Sequence, residues 1–289
     1  MRDYCITTDS NSDIPQDYAE AFHTTIIPQY YSFGDTVYGD ERQMPPAEFY
    51  ERMKNGALPQ SQACNPAVIE SRFRSLLDQG MDIIHISFSS ALSGSYNNVC
   101  MVAGELSEQY PGAKITVIDS LNVSLGETLM VLRANFLKKG GYPYEKTVEA
   151  LEEFKKHIHV QFTVNDLFHL QRGGRVSKTV AVVGSALNLK PFLYVTAEGG
   201  LASAGTVRGR KKSLRALIDR MKETLEAKPD VSMPVGIVHG NCPDDAAFIA
   251  DIIKEELGFT DIIINEISPS IGTHAGPGAI GIIYYGQVK

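Results

Sequence analysis

The segment Ile86–Val99 reads ISFSSALSGSYNNV and crowds Ser87, Ser89, Ser90, Ser93 and Ser95 around Gly94. An apolar run, Met81–Ile86, leads in, and a helical run, Asn98–Tyr110, leads out. Hydroxyls at the carboxyl end of a strand, beside a helix N-terminus with free N–H groups, form an anion site. One serine there serves equally well as a helix cap, but five exceed what a cap requires. Ser61, in Leu58-Pro-Gln-Ser-Gln-Ala-Cys-Asn-Pro66, is a second hydroxyl just ahead of a helix, in a stretch that also reads as plain polar loop. Thr273 and His274 stand in Gly-Thr-His-Ala-Gly-Pro-Gly, where little bulk surrounds the imidazole, a better setting for a site histidine than a packed core. Arg172 and Arg175 flank Gly173-Gly174 and either present guanidinium groups to a carboxylate or phosphate, or lie solvated on a turn.

Other chemistries fit less well. Ser93, His274 and Asp119 can be written as a hydrolase triad, but the chain has no GxSxG elbow, so a serine hydrolase using Ser93 and His274 is the second reading. Gly276-Pro-Gly-Ala-Ile-Gly281 matches GxGxxG, yet a β-branched and aromatic run follows it where a nucleotide fold needs a helix. Gly173-Gly-Arg-Val-Ser-Lys-Thr179 has the wrong glycine spacing for a phosphate loop. Cys5, Cys64, Cys100 and Cys242 are scattered and suggest neither a metal site nor a disulfide framework.

The elements that position these residues alternate in the first half. Strands are expected at Tyr4–Thr8, Asp82–Phe88 and Lys114–Ile118, and helices from Pro46, from Asn65-Pro66, to Tyr110 and over Ser124–Lys139. Ile69, Phe73, Leu76 and Leu77 make one apolar helix stripe. This alternation predicts a doubly wound parallel α/β sheet over residues 1–155. After Tyr144–Lys156 the rhythm changes to His159–Val164, an apolar run Val180–Leu189, a hairpin across Gly199-Gly200, then Val235–His239 between two helices. Ile262–Ile267, a glycine loop and Ile280–Tyr285 close the sequence. Residues 156–289 therefore read as an α+β domain with a mixed sheet, with a ligand between the two domains. The 289 residues, 43% hydrophobic and 21% charged, describe a folded protein. A net charge of −7, with Arg208-Gly-Arg-Lys-Lys212 as the densest basic cluster, argues against nucleic acid. MRDYCITTDS lacks the apolar core of a signal peptide, and no run reaches the ~20 apolar residues of a membrane helix, so a cytoplasmic protein is expected.

Several of these segments, in order, resemble the DegV family of bacterial fatty-acid-binding proteins. Thr8-Asp-Ser10 with Asp13-Ile-Pro15, Ser61–Pro66, Ser89-Ser-Ala-Leu-Ser-Gly-Ser-Tyr96, Val117–Ser120, Gly173–Ser177, Leu187–Pro191 and Gly272–Gly278 carry the likeness. Ser61 replaces the family's usual threonine, and Gln62-Ala63 replaces its Ser-Gln. The resemblance implies a carrier and not an enzyme. One long-chain, palmitate-like fatty acid, without a cofactor, would sit between two domains with its carboxylate on Ser61 and Ser93. Thr273, His274 and Arg175 would lie near the headgroup. Arg172 and Arg208 would face a separate ATP-dependent fatty acid kinase subunit, which phosphorylates the carboxylate to an acyl-phosphate for phospholipid synthesis. Transient contact with a membrane surface is compatible with that role. Burying ~15 methylenes is worth on the order of 12 kcal/mol before ordering costs, so neutral hydroxyls, without a salt bridge, are expected to suffice at the headgroup.

Overall fold

A computed structural model describes residues 2–177 and 188–289. Most of the apolar run read over Val180–Leu189, and Leu187 of the matched block ending at Pro191, lie outside the described residues.

The first half builds a parallel sheet in the order β2-β1-β6-β7, from β1 (Tyr4–Asp9), β2 (Thr25–Ile27), β6 (Asp82–Ser87) and β7 (Ile115–Asp119). Every residue of β6 is buried, as expected for a central parallel strand covered on both faces. A short antiparallel sheet, β4-β3-β5, stands beside it: β3 (Tyr30–Phe33), β4 (Thr36–Tyr38) and β5 (Gln60–Gln62). Ser61 therefore lies on a strand, opposite Tyr31, and not in a polar loop.

The helices of this half are α1 (Gln16–Ala21), α2 (Pro46–Lys54), α3 (Pro66–Asp78), α4 (Ser95–Gln109), α5 (Leu125–Lys139) and α6 (Tyr144–Phe154). Asn65 caps α3 by accepting the Ala67 N–H at 3.0 Å, with Pro66 in the first turn. Ile69, Phe73 and Leu77 are buried as the stripe predicts, while Leu76 is half-buried. α1 has no clear signal in the sequence.

The second half is a six-stranded sheet, β10-β9-β8-β13-β11-β12. Its strands are β8 (Ile158–Thr163), β9 (Leu189–Val195), β10 (Leu201–Arg208), β11 (Val235–His239), β12 (Ile262–Glu266) and β13 (Ile280–Tyr285). Among the described residues only β11 and β12 pair in parallel there, so the sheet is mixed. Its helices are α7 (Phe168–Arg172), α8 (Arg210–Thr224), α9 (Pro243–Leu257) and α10 (Pro269–Ala275). The glycine loop read after Ile267 thus holds a short helix, with His274 in its last turn, while α7 stops at Arg172 and Gly173-Gly174 form the turn expected there.

α5 joins the halves. Residues Ser124–Val131 are all buried, because the helix packs on β1 and β6 on one side and on β8, β11 and β13 on the other. The turn of the β9–β10 hairpin also reaches across. Ser89 Oγ donates to the Gly199 carbonyl at 2.8 Å, and a Cβ at Gly199 would lie 3.0 Å from Leu121 Cα. Ser89→Ala is expected to speed amide exchange in residues 196–201 without changing global stability by more than about 1 kcal/mol, read by hydrogen–deuterium exchange.

Candidate functional site

A cavity of about 240 Å³ opens between the sheets, lined by Ser61, Ser93, Arg175 and His274 at one region and by apolar side chains of β8, β11 and α10 elsewhere. Four residues expected at a headgroup thus share one cavity. Thr273 does not line it; it is buried and donates its hydroxyl to the Pro269 carbonyl at 2.9 Å.

The serine loop begins where β6 ends. Ser89 N–H donates to the Asn122 carbonyl, and Ser120 N–H to the Ser87 carbonyl, pinning it to the next strand's end. The residue before α4 is Gly94, which has no side chain to cap with. Ser93 supplies the oxygen instead, accepting the Ser95 N–H at 3.2 Å and sharing a 2.9 Å hydrogen bond with Ser95 Oγ. Ser95 Oγ accepts the Cys64 N–H at 3.1 Å, and Asn98 Nδ2 donates to the Cys64 carbonyl at 2.9 Å. That bridge ties α4 to the segment after β5 and brings Ser61 to the same cavity. The serines of the loop thus have both local and distant partners. Ser93 also caps, Ser89 binds the far hairpin, and Ser90 contributes its N–H to Asp119 at 3.1 Å.

His274 Nε2 lies 2.7 Å from Ser61 Oγ. Its Nδ1 is buried without a partner among the described residues and packs on Gly173. Burial, then the charges of Arg175, Arg172 and His169, push its pKa down to about 4, so the ring is neutral at pH 7. A Cβ on Gly173 would overlap Nδ1 and stand 2.6 Å from Cε1. The φ of −77° at Gly173 suits any residue. Gly173→Ala is thus expected to expel the imidazole from Ser61 and raise its pKa by a unit or more toward ~6.5, read by NMR titration; an unmoved pKa contradicts this.

Arg175 spans the loops. Its Nε and Nη2 donate to the Leu92 carbonyl at 3.0 and 2.8 Å, and Nη1 donates to the Gly173 carbonyl at 2.5 Å. Arg172 Nη2 donates to the carbonyls of Pro59 and Thr273 at 2.7 and 3.2 Å. Among the described residues neither guanidinium has a carboxylate partner, and burial alone lowers both pKa values. Arg175 lines the cavity, whereas Arg172 is exposed and lies outside its lining. Arg208 lies apart, exposed at the end of β10.

Asp119 does not complete a triad. Its Oδ1 accepts the N–H groups of Ser90 and Leu121, both at 3.1 Å, and His274 pairs with Ser61 and not with Ser93. Among the described residues no group of three or more His, Cys, Asp or Glu could hold a metal ion.

Three buried carboxyls nearby escaped the sequence reading. Asp9 accepts from Asn11 N, Gln29 Nε2 and Phe88 N at 3.0, 2.8 and 2.9 Å. Asp13 accepts the Ser268 N–H at 3.0 Å and the Ser124 hydroxyl, while its carbonyl accepts Asn265 Nδ2 at 2.7 Å. Glu127 accepts the Thr8 hydroxyl through Oε1 and, among the described residues, leaves Oε2 without a partner. Burial raises all three, to about 6 for Asp9, about 7 for Asp13 and well above the usual range for Glu127. Thr-Asp-Ser at a strand end was a usable signal for Asp9 and Asp13. Glu127 lies inside a helix and gave none.

The family model described as "Uncharacterised protein, DegV family" matches residues 4–287. A DegV domain-containing protein of Clostridium perfringens is 34% identical over 291 residues, covering 100% of this chain and 99% of that protein. Another, from Lactococcus lactis, is 31% identical, covering 96% of each. Among solved structures, a DegV family protein from Thermus thermophilus, described by its fatty acid binding, superposes with a TM-score of 0.89 at 29% identity, covering 99% of this chain and 100% of that one. DegV of Bacillus subtilis, described as a fatty acid binding protein, gives 0.84 at 27% identity with the same coverage. With a full-length family match, relatives above 30% identity and one shared fold, the chain belongs to the DegV family.

Proposed function

We propose that this protein binds one long-chain fatty acid and presents its carboxylate to a separate ATP-dependent kinase subunit. The product would be an acyl-phosphate for phospholipid synthesis. The observation that carries the binding step is the guanidinium of Arg175, half-buried at an apolar cavity without a carboxylate partner among the described residues. A half-buried cation without its anion is costly, and a cavity that is greasy beyond the cation suits an anion with an alkyl tail. The headgroup then relies on charge as well as on hydroxyls, contrary to the expectation that neutral groups suffice. The fatty acids described for the Thermus and Bacillus proteins support the same ligand class.

In this reading the lobes are residues 1–155 and 156–289. Ser61 and Ser93 donate to the carboxylate. Neutral His274 donates Nε2–H to Ser61 Oγ, which frees the Ser61 hydroxyl proton for the ligand. Thr273 steadies α10 through its bond to Pro269. In the transfer step a carboxylate oxygen attacks the γ-phosphorus of ATP and ADP leaves. Arg172 and Arg208, both exposed, lie on the face offered to the kinase.

The test is extraction of purified protein with organic solvent and mass spectrometry of the extract. A carrier releases a long-chain acid in near-stoichiometric amount; a protein that releases none and turns over an ester contradicts the reading. The double variant Ser61→Ala/Ser93→Ala should weaken binding by about 1.5–3 kcal/mol per lost hydrogen bond to the charged group. Full retention of the lipid by the double variant removes the two serines from the headgroup.

A further inference from the structure

Two glycines share the cavity-facing side of the six-stranded sheet. Gly236 lies opposite Ile283, and Val238 opposite Gly281, so these four residues are on one face. The space above Gly236 is filled by the protein: a Cβ there would stand 2.9 Å from Leu125 Cβ of α5. Gly281 is different. The three atoms nearest to a Cβ there are Phe162 Cβ at 3.1 Å, the Gln161 carbonyl at 3.2 Å and Val238 Cγ2 at 3.4 Å, all within the sheet itself. Gly281 is extended strand without positive φ, so its backbone does not require glycine, and it lines the cavity.

The residues around it form a trough. Phe162 on β8 and Val238 on β11 stand directly across from Gly281 on either side, and both line the cavity. Ala279, just before β13, is the preceding residue on the same face and also lines it. Small residues on a central strand between large ones on both neighbours leave a groove along that strand. At one end the chain runs back through Gly276-Pro277-Gly278 to His274, which lines the same cavity. The other meets Ile283, which is fully buried, with its Cβ 3.3 Å from the Cβ position of Gly236 beneath Leu125. From Ala279 to Ile283 the strand advances about 13 Å, the span of roughly ten extended methylenes.

We propose that β13 measures the acyl chain: Gly281 is a specificity-determining residue that seats the chain, and Ile283 with Leu125 sets where it ends. This rests on the fatty-acid reading above. Each methylene excluded from the trough lowers affinity about fourfold. The experiment compares binding of saturated acids from decanoic to octadecanoic by wild-type protein, Gly281→Ala, Gly281→Val and Ile283→Ala. Gly281→Val should weaken octadecanoic acid at least tenfold more than decanoic acid. Gly281→Ala, whose neighbours need give only a few tenths of an ångström, should move the profile the same way by less. Ile283→Ala should move the preferred length upward. Penalties equal at every chain length for both Gly281 variants, with an unmoved profile for Ile283→Ala, overturn the proposal while leaving the fatty-acid reading intact. A wild-type protein that binds no acid of any length overturns both.

Discussion

Arg175→Met is expected to weaken binding of a long-chain fatty acid by about 100-fold or more. Of the five N–H donors of a guanidinium, three are committed, two to Leu92 and one to Gly173. The remaining two, one on each terminal nitrogen, have no partner among the described residues, and Arg175 lines the cavity in which a carboxylate would meet them. Removing one partner of a buried, hydrogen-bonded charge pair costs about 2–5 kcal/mol, much of it because the other charge is left alone. Methionine keeps an unbranched stem of similar reach, so the packing of the loop changes less than its charge. The Leu92 carbonyl also loses both of its donors from Arg175, which loosens the residue next to Ser93. Displacement of a fluorescent fatty acid measures the effect. A variant that binds within threefold of wild type contradicts a cationic headgroup site.

The second large effect concerns pH. Asp13 is fully buried with its pKa raised to about 7, and Asp9 beside it to about 6. An unfolded aspartate loses its proton near 3.9. Between those values the native state holds more protons than the unfolded state, so stability falls as pH rises. The contribution is fully present below pH ~4 and lost through the range in which the native groups titrate. For Asp13 alone, going from pH 5 to pH 8 should cost about 3 kcal/mol, at 1.36 kcal/mol per unit. Asp13→Asn should abolish most of that slope. Asparagine can still accept the Ser268 N–H, its amide can donate to Ser124 Oγ, and it tolerates the left-handed backbone seen here at φ 50°. Urea denaturation at pH 5, 6.5 and 8 reads the result. A wild-type stability that is flat or rising over this range contradicts the assignment of buried, protonated carboxyls.

The fold was legible where local pattern and burial agree. β6 is a short apolar run before a polar loop, and it is buried throughout. α3 has its cap, its proline and its stripe. β5 was hidden because its pairing with β3, Tyr31 against Ser61, joins residues distant in sequence, and a three-residue strand carries no period of its own. α10 was hidden by Gly272 within it and Gly276 just past its end, since glycine is a poor helix former. Packing supplies the reason for Gly272: a Cβ there would stand 2.6 Å from the Tyr50 hydroxyl, which donates to the Ile267 carbonyl. At the site, residue types raised Ser61, Ser93, Arg175 and His274 singly, and the family resemblance grouped them; all four line one cavity. Neither the residue types nor the resemblance revealed that Arg175 faces carbonyls and, among the described residues, no carboxylate. Glu127 was invisible because α5 is enclosed on all sides, which erases the polar face that would mark a buried charge as unusual.

The most direct measurement is a carbon-13 NMR titration of carboxyl-labelled palmitic acid bound to the protein. A carboxylate held beside Arg175, Ser61 and Ser93 should give one sharp bound resonance, ionised at neutral pH and still ionised well below the pH at which an exposed carboxylate takes up its proton. A bound resonance that titrates like an exposed carboxylate, or that is protonated at neutral pH, would contradict the account.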